Sequence, residues 1–323
     1  MQHFDLTTTF PEIETYLKEK GLFQSDEQLE AIEKPGEGNM NVVLRIKTNR
    51  QSFILKQSRS YVEKYKQIEA PIARITVEYE FYKAIQNTTL NAHVPKILYF
   101  DEANYILLLE DLGACDDLVY IYQKRKISSK ELGKLVFITN VLHRTAIPEN
   151  FPDNDEMRQL NHQHIFVLPF MEDNGFSLDT IQNGLQDISE PYKNNKALKT
   201  IIHSIGEKYL EQGDTLIHGD YYPGSWMKSD GGLYVIDPEF GFVGFAEFDL
   251  GVMGAHLILA TSKMKYLKKI QSKYKGTIDE KLMSQITGIE IMRRLIGLAQ
   301  LPLERTIEEK TKLLKKAYKM IMQ

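Results

Sequence analysis

The strongest signal in this chain lies in residues 214–239, which read DTLIHGDYYPGSWMKSDGGLYVIDPE. Two acids stand out in this stretch. Asp220 follows the apolar pair Leu216-Ile217, and Asp237 follows the short β-type run Tyr234–Ile236. A base that orients an acceptor hydroxyl and an acid that binds Mg²⁺ are the protein groups that phosphoryl transfer requires. The stretch therefore predicts a phosphoryl-transfer site, with Asp220 as the catalytic base and Asp237 as a metal ligand.

The residues around these two acids resemble kinase motifs. His218-Gly219-Asp220 is similar to the His-Arg-Asp catalytic loop of protein kinases, and Asp237-Pro238-Glu239 is similar to their Asp-Phe-Gly metal motif. Glycine in place of arginine, and Pro-Glu in place of Phe-Gly, indicate a substrate other than protein. The pattern resembles the aminoglycoside phosphotransferase and choline kinase superfamily, whose members phosphorylate small-molecule alcohols.

This resemblance implies an α+β, protein-kinase-like fold with two lobes. The smaller N-lobe is expected to hold an antiparallel sheet, and the larger C-lobe is expected to be mainly helical. A length of 323 residues exceeds one ordinary core and agrees with two lobes. We predict a nucleotide-binding N-lobe at residues 1–111 and a catalytic and acceptor-binding C-lobe at residues 112–323.

The hydrophobic periodicity changes near the predicted boundary between the lobes. Before it, a helical pattern covers Phe10 to Gly21, a second covers Glu69 to Asn87, and the rest is short β-type runs. After about Ser128, helical spacing dominates. The predicted strands are Asn41–Ile46, Ser52–Lys56, Lys96–Phe100 and Tyr105–Glu110, and later helices are predicted near 196–212, 249–262, 278–299 and 306–321.

A glycine-containing turn lies between candidate strands of the N-lobe. Gly36 and Gly38 lack a Cβ atom, so backbone N–H groups of this segment, which includes Asn39, can approach phosphates closely. Two close glycines more often form a plain turn, and the segment by itself leaves that alternative open. Together with the acids downstream, it predicts nucleotide binding by Gly36, Gly38 and Asn39.

Two further N-lobe segments complete the expected nucleotide site. Lys56 ends a predicted strand where protein kinases carry the lysine that binds the α- and β-phosphates, and Glu78 or Glu80 on the next helix is its expected ion-pair partner. We favour Glu78. Leu107 to Leu112 is expected to form the last strand and the linker, where Glu110 and Leu112 contact the nucleotide and backbone atoms can bind adenine.

The metal site departs from the protein kinase pattern. Five residues after the catalytic acid, protein kinases place an asparagine that binds the second Mg²⁺, and Ser225 stands there in this chain. A hydroxyl is the weaker ligand. Glu239 can compensate, because it follows Asp237 by two residues and Pro238 restricts the turn between them. We predict Asp237, Glu239 and Ser225 as metal ligands; the alternative for Glu239 is a structural salt bridge.

Motifs spread over most of the chain resemble the methylthioribose kinase family. They are Lys56-Gln57 with Tyr61-Val62, Leu109–Leu112, His218–Asp220 with Gly224-Ser225, Ile236–Phe240 with Gly244, Phe248-Asp249 with Gly251, and Arg293-Arg294 with Gly297–Ala299. The resemblance implies transfer of a phosphoryl group from ATP to the anomeric hydroxyl of 5-methylthioribose, in methionine salvage, with Mg²⁺. The family usually has Leu-His-Thr where this chain has Tyr221-Tyr222-Pro223, and histidine where it has Gln300.

The late arginine pair separates this branch from the wider superfamily. Arg293 and Arg294 lie in a predicted helix, so their side chains diverge by about 100° and one of them is expected to face the phosphates. We predict catalytic roles for this pair; the alternative is two solvated helix arginines. Asp249 is expected to be a helix N-cap and a brace of the catalytic loop. Tyr221 and Tyr222 are expected to shape the acceptor pocket.

The composition restricts the partners of the protein. A net charge of −4 and a pI near 6.1 provide no basic surface for nucleic acid or anionic lipid. A single cysteine, Cys115, excludes an intrachain disulfide, and no signal-peptide or membrane-span pattern occurs, so we expect a soluble cytoplasmic protein. The expected partner is a small alcohol or sugar, with a homodimer left open. Kinases of another small alcohol, such as an aminoglycoside, choline or homoserine, and a nucleotide-binding pseudokinase are the alternative functions.

Overall fold

An antiparallel sheet organises the N-lobe of the computed structural model, which describes residues 2–36, 38 and 40–323. The sheet has the strand order β1-β2-β3-β7-β6, and a separate hairpin pairs β4 with β5. In chain order the strands are β1 (Leu29–Glu33), β2 (Val42–Thr48), β3 (Ser52–Gln57), β4 (Tyr61–Val62), β5 (Tyr65–Glu69), β6 (Ile97–Asp101) and β7 (Ile106–Glu110).

The sheet is covered on both faces, and strand β7 shows how its side chains divide. Successive side chains of a strand point to opposite faces. Ile106 and Leu108 pack in one core cluster with helix α1 (Phe10–Glu19), whereas Leu107 and Leu109 pack with helix α2 (Arg74–Ile85) in the main core. This double burial explains why β7 is an unbroken apolar run.

The N-lobe predictions need correction at three strands, β1, β4 and β5, and at the start of helix α2. Strand β1 was not predicted, because its half-buried, mixed sequence LEAIE lacks a clear alternation. The second helix does not begin at Glu69, which ends β5; it begins at Arg74. Pro71 explains the difference, since a proline disfavours helical geometry in the residue before it.

Helices dominate the C-lobe, as predicted from the periodicity. Helix α8 is apolar around nearly its whole circumference and packs between α10 and α9. No helix within the described residues is both long and apolar enough to cross a bilayer. The helices are α3 (Ile121–Lys124), α4 (Ser129–Leu142), α5 (Asp155–His162), α6 (Leu185–Lys193), α7 (Lys196–Leu210), α8 (Ala246–Thr261), α9 (Lys265–Lys273), α10 (Glu280–Ile296) and α11 (Ile307–Ile321).

Short strands of the C-lobe hold the segments that contain Asp220 and Asp237. Strands β8 (Asp116–Asp117), β10 (Trp226–Ser229) and β11 (Gly232–Val235) form one small sheet, and β9 (Thr215–Ile217) pairs with β12 (Phe242–Gly244). The β9–β12 register places Ile217 opposite Phe242. Because Asp220 follows β9 and Asp237 precedes β12, this pairing brings the two acids into one region.

Candidate active site

Two adjoining cavities between the lobes contain most of the predicted site residues. The first, of about 200 Å³, is bordered among others by Gly36, Gly38, Lys56, Glu110, Leu112 and Asp237. The second, of about 230 Å³, is bordered among others by Gly38, Lys56, Asp220, Ser225, Asp237 and Glu239. Their shared residues make the two cavities one continuous cleft. Asn39, the remaining residue of the predicted phosphate loop, lies outside the described residues.

Lys56 links the N-lobe to the acid of the C-lobe. Its Nζ atom lies 2.6 and 2.7 Å from the two carboxylate oxygens of Glu78 and 2.7 Å from Asp237 Oδ1. Burial lowers the pKa of Lys56, but the charges of Asp237 and Glu78 outweigh burial and raise it, so the ammonium stays charged. Glu80, the alternative partner, instead binds Lys83 at 2.9 Å. The preference for Glu78 agrees with this geometry.

Asp237 adopts a backbone conformation that is uncommon for its residue type. Its φ and ψ angles are 62° and 49°, in the left-handed region, and Pro238 follows it directly. A non-glycine residue in this region costs on the order of 1 kcal/mol or more. The turn leaves the Asp237 carboxylate against Lys56 and still 46% exposed at the cleft. Such strain at a residue that faces a cleft is typical of functional sites.

Glu239 is held by the N-lobe through a single oxygen atom. Its Oε2 accepts a hydrogen bond of 2.9 Å from Asn41 Nδ2 and lies 3.2 Å from Arg74 Nε. Arg74 is fully buried and also donates to the backbone carbonyls of Met40 and Arg59, both at 2.7 Å. Glu239 thus forms the structural salt bridge that was the alternative prediction for this residue. It also borders the second cavity.

The catalytic loop is braced from behind by Asp249. Its two carboxylate oxygens accept hydrogen bonds from the backbone N–H groups of His218 (2.8 Å) and Gly219 (3.0 Å). His143 Nε2 lies 3.2 Å from the same carboxylate. The predicted brace is therefore present, but the predicted N-cap is wrong. The N-cap of α8 is Phe245, and Asp249 lies inside the first turn of that helix.

His218 joins the catalytic loop to the segment that ends at Asp237. Its Nε2 lies 3.0 Å from the carbonyl oxygen of Ile236, and its Nδ1 lies 3.3 Å from the backbone nitrogen of Asp220. This arrangement fits a neutral ring that donates from Nε2 and accepts at Nδ1. Burial lowers the pKa of His218, in agreement with a neutral ring. His218 therefore has a structural role between the two acids.

Asp220 lies beside the arginine pair. Burial raises the pKa of its carboxyl to about 6, although the charges of Arg294 and Arg293 lower it. Arg294 Nη2 lies 3.8 Å from Asp220 Oδ1, so Arg294 is the nearer member of the pair. A general base works best when its pKa lies near the operating pH. Ser225 Oγ donates a 2.9 Å hydrogen bond to the Asp220 carbonyl and keeps lone pairs that could bind a metal.

The two tyrosines after Asp220 have different environments. Tyr222 borders the second cavity, and its ring lies under Arg294 with 5.1 Å between the guanidinium carbon and the ring centroid. Tyr221 is fully buried and donates a 2.9 Å hydrogen bond to the Leu135 carbonyl. The expectation that Tyr221 shapes the acceptor pocket is wrong, because its side chain is buried against Leu135 and is not among the residues that border the second cavity. The side-chain amide of Gln300 donates a 2.6 Å hydrogen bond to the carbonyl oxygen of Gly297, at the C-terminal end of α10.

Some residues of the cleft were not predicted from the sequence. Asp117 borders both cavities, and Asn41 borders the second. Asn154 donates 3.0 Å hydrogen bonds to the carbonyls of Glu239 and Gly241 and so holds the segment after Asp237. A positive φ of 56° at Asn154 is a turn conformation that asparagine adopts more readily than most residues. No local pattern links these residues to the acids, since their contacts span many positions of the chain.

The fold and the cleft define a kinase-like phosphotransferase, because a buried lysine–glutamate pair and two acids meet between a sheet lobe and a helical lobe. The chain belongs to the phosphotransferase enzyme family (APH), whose family model matches residues 31–279. A methylthioribose kinase from Geobacillus sp. (strain WCH70) is 29% identical over 257 residues, which cover 74% of this chain and 62% of that relative. The chain thus spans less than two thirds of that relative's length. The resemblance predicted from the motifs is confirmed.

Solved structures of similar shape support the fold. Choline kinase LicA from Streptococcus pneumoniae has a TM-score of 0.55 at 14% identity, covering 96% of this chain and 99% of that one. A spectinomycin phosphotransferase in complex with ADP and spectinomycin has a TM-score of 0.53 at 12% identity, covering 98% of each chain. At sequence identities this low, the similarity is evidence for the fold alone. They confirm the predicted two-lobed α+β, protein-kinase-like architecture.

Proposed function

We propose that this protein is an ATP- and Mg²⁺-dependent kinase that phosphorylates a sugar hydroxyl, with 5-methylthioribose or a related 5-modified ribose as the acceptor. The observation that carries the proposal is the meeting of Lys56, Asp237 and Asp220 along one cleft. The similarity to methylthioribose kinases supports the choice of acceptor. In this proposal residues 1–111 bind the nucleotide, and residues 112–323 bind the acceptor and carry the base.

The cleft offers suitable groups for both the nucleotide and the metal. Lys56 is a buried ammonium that can bind phosphate oxygens, and the glycine segment borders the same cavity through Gly36 and Gly38. Asp237, Glu239 and the hydroxyl of Ser225 are hard oxygen donors of the kind that Mg²⁺ prefers. When bound, ATP would supply the transferable phosphoryl group, and Mg²⁺ would neutralise the charge of the phosphates.

The chain itself contributes a base and a positive field. Asp220 accepts the proton of the acceptor hydroxyl, and a pKa of about 6 leaves it largely ionised at neutral pH. Arg294, 3.8 Å from this carboxylate, stabilises negative charge that develops on the transferring group. Glu110 and Leu112 border the opposite end of the cleft, where the linker between the lobes can bind the base of the nucleotide.

A coupled ADP-release assay over a panel of acceptors tests this function. The panel contains 5-methylthioribose, ribose, choline, homoserine and an aminoglycoside, each with ATP and Mg²⁺. We expect turnover of 5-methylthioribose, abolished in Asp220→Asn. Turnover of choline, homoserine or an aminoglycoside without turnover of 5-methylthioribose would reassign the acceptor to another small alcohol. ATP binding without turnover of any acceptor would indicate a pseudokinase.

A further inference from the structure

A single buried carboxylate on helix α10 binds both arginines of the pair. Glu290 lies one helical turn before Arg293 and Arg294, and its side chain is 2% exposed. Its Oε1 atom accepts from Arg294 Nε at 2.6 Å, and its Oε2 atom accepts from Arg293 Nη1 at 2.9 Å. Spacings of three and four residues place all three side chains on neighbouring positions of the helix surface.

A second layer fixes Glu290 from the opposite side. His256 Nε2 lies 3.0 Å from Glu290 Oε1, and His256 Nδ1 lies 2.6 Å from the hydroxyl of Tyr122. Burial lowers the pKa of His256 to about 4, so the ring is neutral, donates to Glu290 and accepts from Tyr122. The Glu290 carboxylate therefore receives donors on both oxygens and has one defined orientation.

The contact between Arg294 and Asp220 is long for an arginine–carboxylate pair, although Arg294 is nearly buried and Asp220 is only 28% exposed. Arginine and carboxylate groups normally close to about 2.7–2.9 Å and often bind through two parallel hydrogen bonds. Here the separation is 3.8 Å, whereas Arg294 meets Glu290 at 2.6 Å. Arg294 Nη1 also donates a 3.4 Å hydrogen bond to the carbonyl of Ala299. The guanidinium of Arg294 is therefore held more closely by Glu290 than by Asp220.

We propose that Glu290 is a positioning residue that holds Arg293 and Arg294 back from Asp220. The base then remains free to accept a proton from the acceptor, and the guanidinium of Arg294 remains available to the transferring group. Without the Glu290 charge, Arg294 closes onto Asp220 as an ion pair, which occupies the base. This inference rests on the proposed kinase function, because Glu290 acts through Asp220 and Arg294, whose roles are part of that proposal. Glu290 does not itself border the cleft.

Glu290→Gln tests the inference, since it keeps the side-chain length and removes the charge. We expect kcat to fall on the order of tenfold or more, because small displacements of catalytic groups carry costs of this size or larger. The KM for ATP should stay near that of the parent, since Glu290 is not among the residues that border the cavity of Lys56 and the glycine segment. The control is Glu280→Gln, the same change at an exposed position of the same helix, which should leave kcat unchanged.

A double variant separates positioning from a general structural role. If Glu290 acts through Arg294, then Glu290→Gln adds little to the loss already caused by Arg294→Ala, whereas independent effects multiply. Multiplying losses, or a parent-like kcat in Glu290→Gln, would overturn the inference. A parent without turnover on any acceptor would instead count against the proposed function.

A second substitution covers the case in which Glu290→Gln does not fold. Glu290→Asp keeps the charge and withdraws it by one methylene group, so the two arginines lose their close contacts. We expect a reduced kcat with an unchanged KM for ATP. A parent-like kcat in Glu290→Asp would overturn the inference on its own.

Discussion

Lys56 Nζ lies 2.7 Å from Asp237 Oδ1, so one ion pair joins strand β3 of the N-lobe to the metal-binding segment proposed for the C-lobe. The same ammonium binds Glu78 on α2. The arrangement of the two lobes at the cleft and the placement of the lysine proposed to bind phosphates are therefore coupled through one side chain. The contacts of Lys56 lead directly to a first test.

Glu78→Gln should lower kcat/KM for ATP by at least about tenfold, because Lys56 loses one of its two anionic partners in a buried site. The matched control is Glu80→Gln on the same helix, whose partner Lys83 lies at the surface. Steady-state kinetics and melting temperatures of both variants provide the comparison. Equal effects of the two changes would remove Glu78 from the site.

Asp220→Asn should lower kcat by about 10²-fold or more while ATP binding stays close to that of the parent, because the proposed base contacts the acceptor and not the nucleotide. Asp230→Asn, in an exposed turn of the same segment, is the control. Turnover assays and calorimetry of ATP binding measure the two quantities. A near-normal kcat in Asp220→Asn would contradict its assignment as the base.

The pH profile should show an acid limb set by Asp220. The pKa of this carboxyl is raised to about 6, and only the ionised form accepts a proton, so activity is present above pH 6 and is lost as pH falls through that value. Arg294→Ala removes a positive charge that lowers this pKa and should move the limb to higher pH. We would measure kcat/KM for the acceptor from pH 5 to 8, with circular dichroism to confirm folding. A limb that stays in place in Arg294→Ala would assign it to another group.

Asp237→Ala should abolish Mg²⁺-dependent ATP binding, whereas Glu239→Ala should weaken it and raise the Mg²⁺ requirement. Glu239→Ala should also lower the melting temperature without ligand, because it leaves the buried Arg74 without its carboxylate partner. Mg²⁺ titrations by calorimetry distinguish the two contributions. Unchanged metal dependence with a lowered melting temperature would make Glu239 purely structural.

Gly219→Ala should destabilise the protein by about 2 kcal/mol or more and remove activity. Gly219 has a φ of +80°, and a Cβ atom there would lie 2.0 Å from the carbonyl oxygen of Phe240. Gly133→Ala is the control, since this position lies inside α4 with open space around it and should gain about 0.5–1 kcal/mol. Denaturant unfolding of both variants gives the two free energies. Parent-like stability in Gly219→Ala would show that the catalytic loop can rearrange.

Local patterns in the sequence predicted most of the longer helices, four of the five strands of the N-lobe sheet and much of the cleft. Short β-type runs carry Lys56 and Asp237 to the ends of strands β3 and β11, and helical spacing places Arg294 on α10. These signals depend on neighbouring residues alone, because the period of apolar residues and the conformational limits of glycine and proline act over a few positions. The helix start at Arg74, strand β1 and the β4–β5 hairpin were not predicted, because such signals are weak there.

Tertiary structure decided which charges meet. The contact of Asn41 with Glu239 joins residues 198 positions apart, and the choice of Glu78 over Glu80 depends on which face of α2 packs toward β3. Glu290 in a mostly buried helix has no local pattern that would single it out, yet it binds both arginines. A buried polar group needs a partner, and only packing determines which distant segment supplies it. The sequence by itself therefore determined the class of site, and the fold decided how its charges are held.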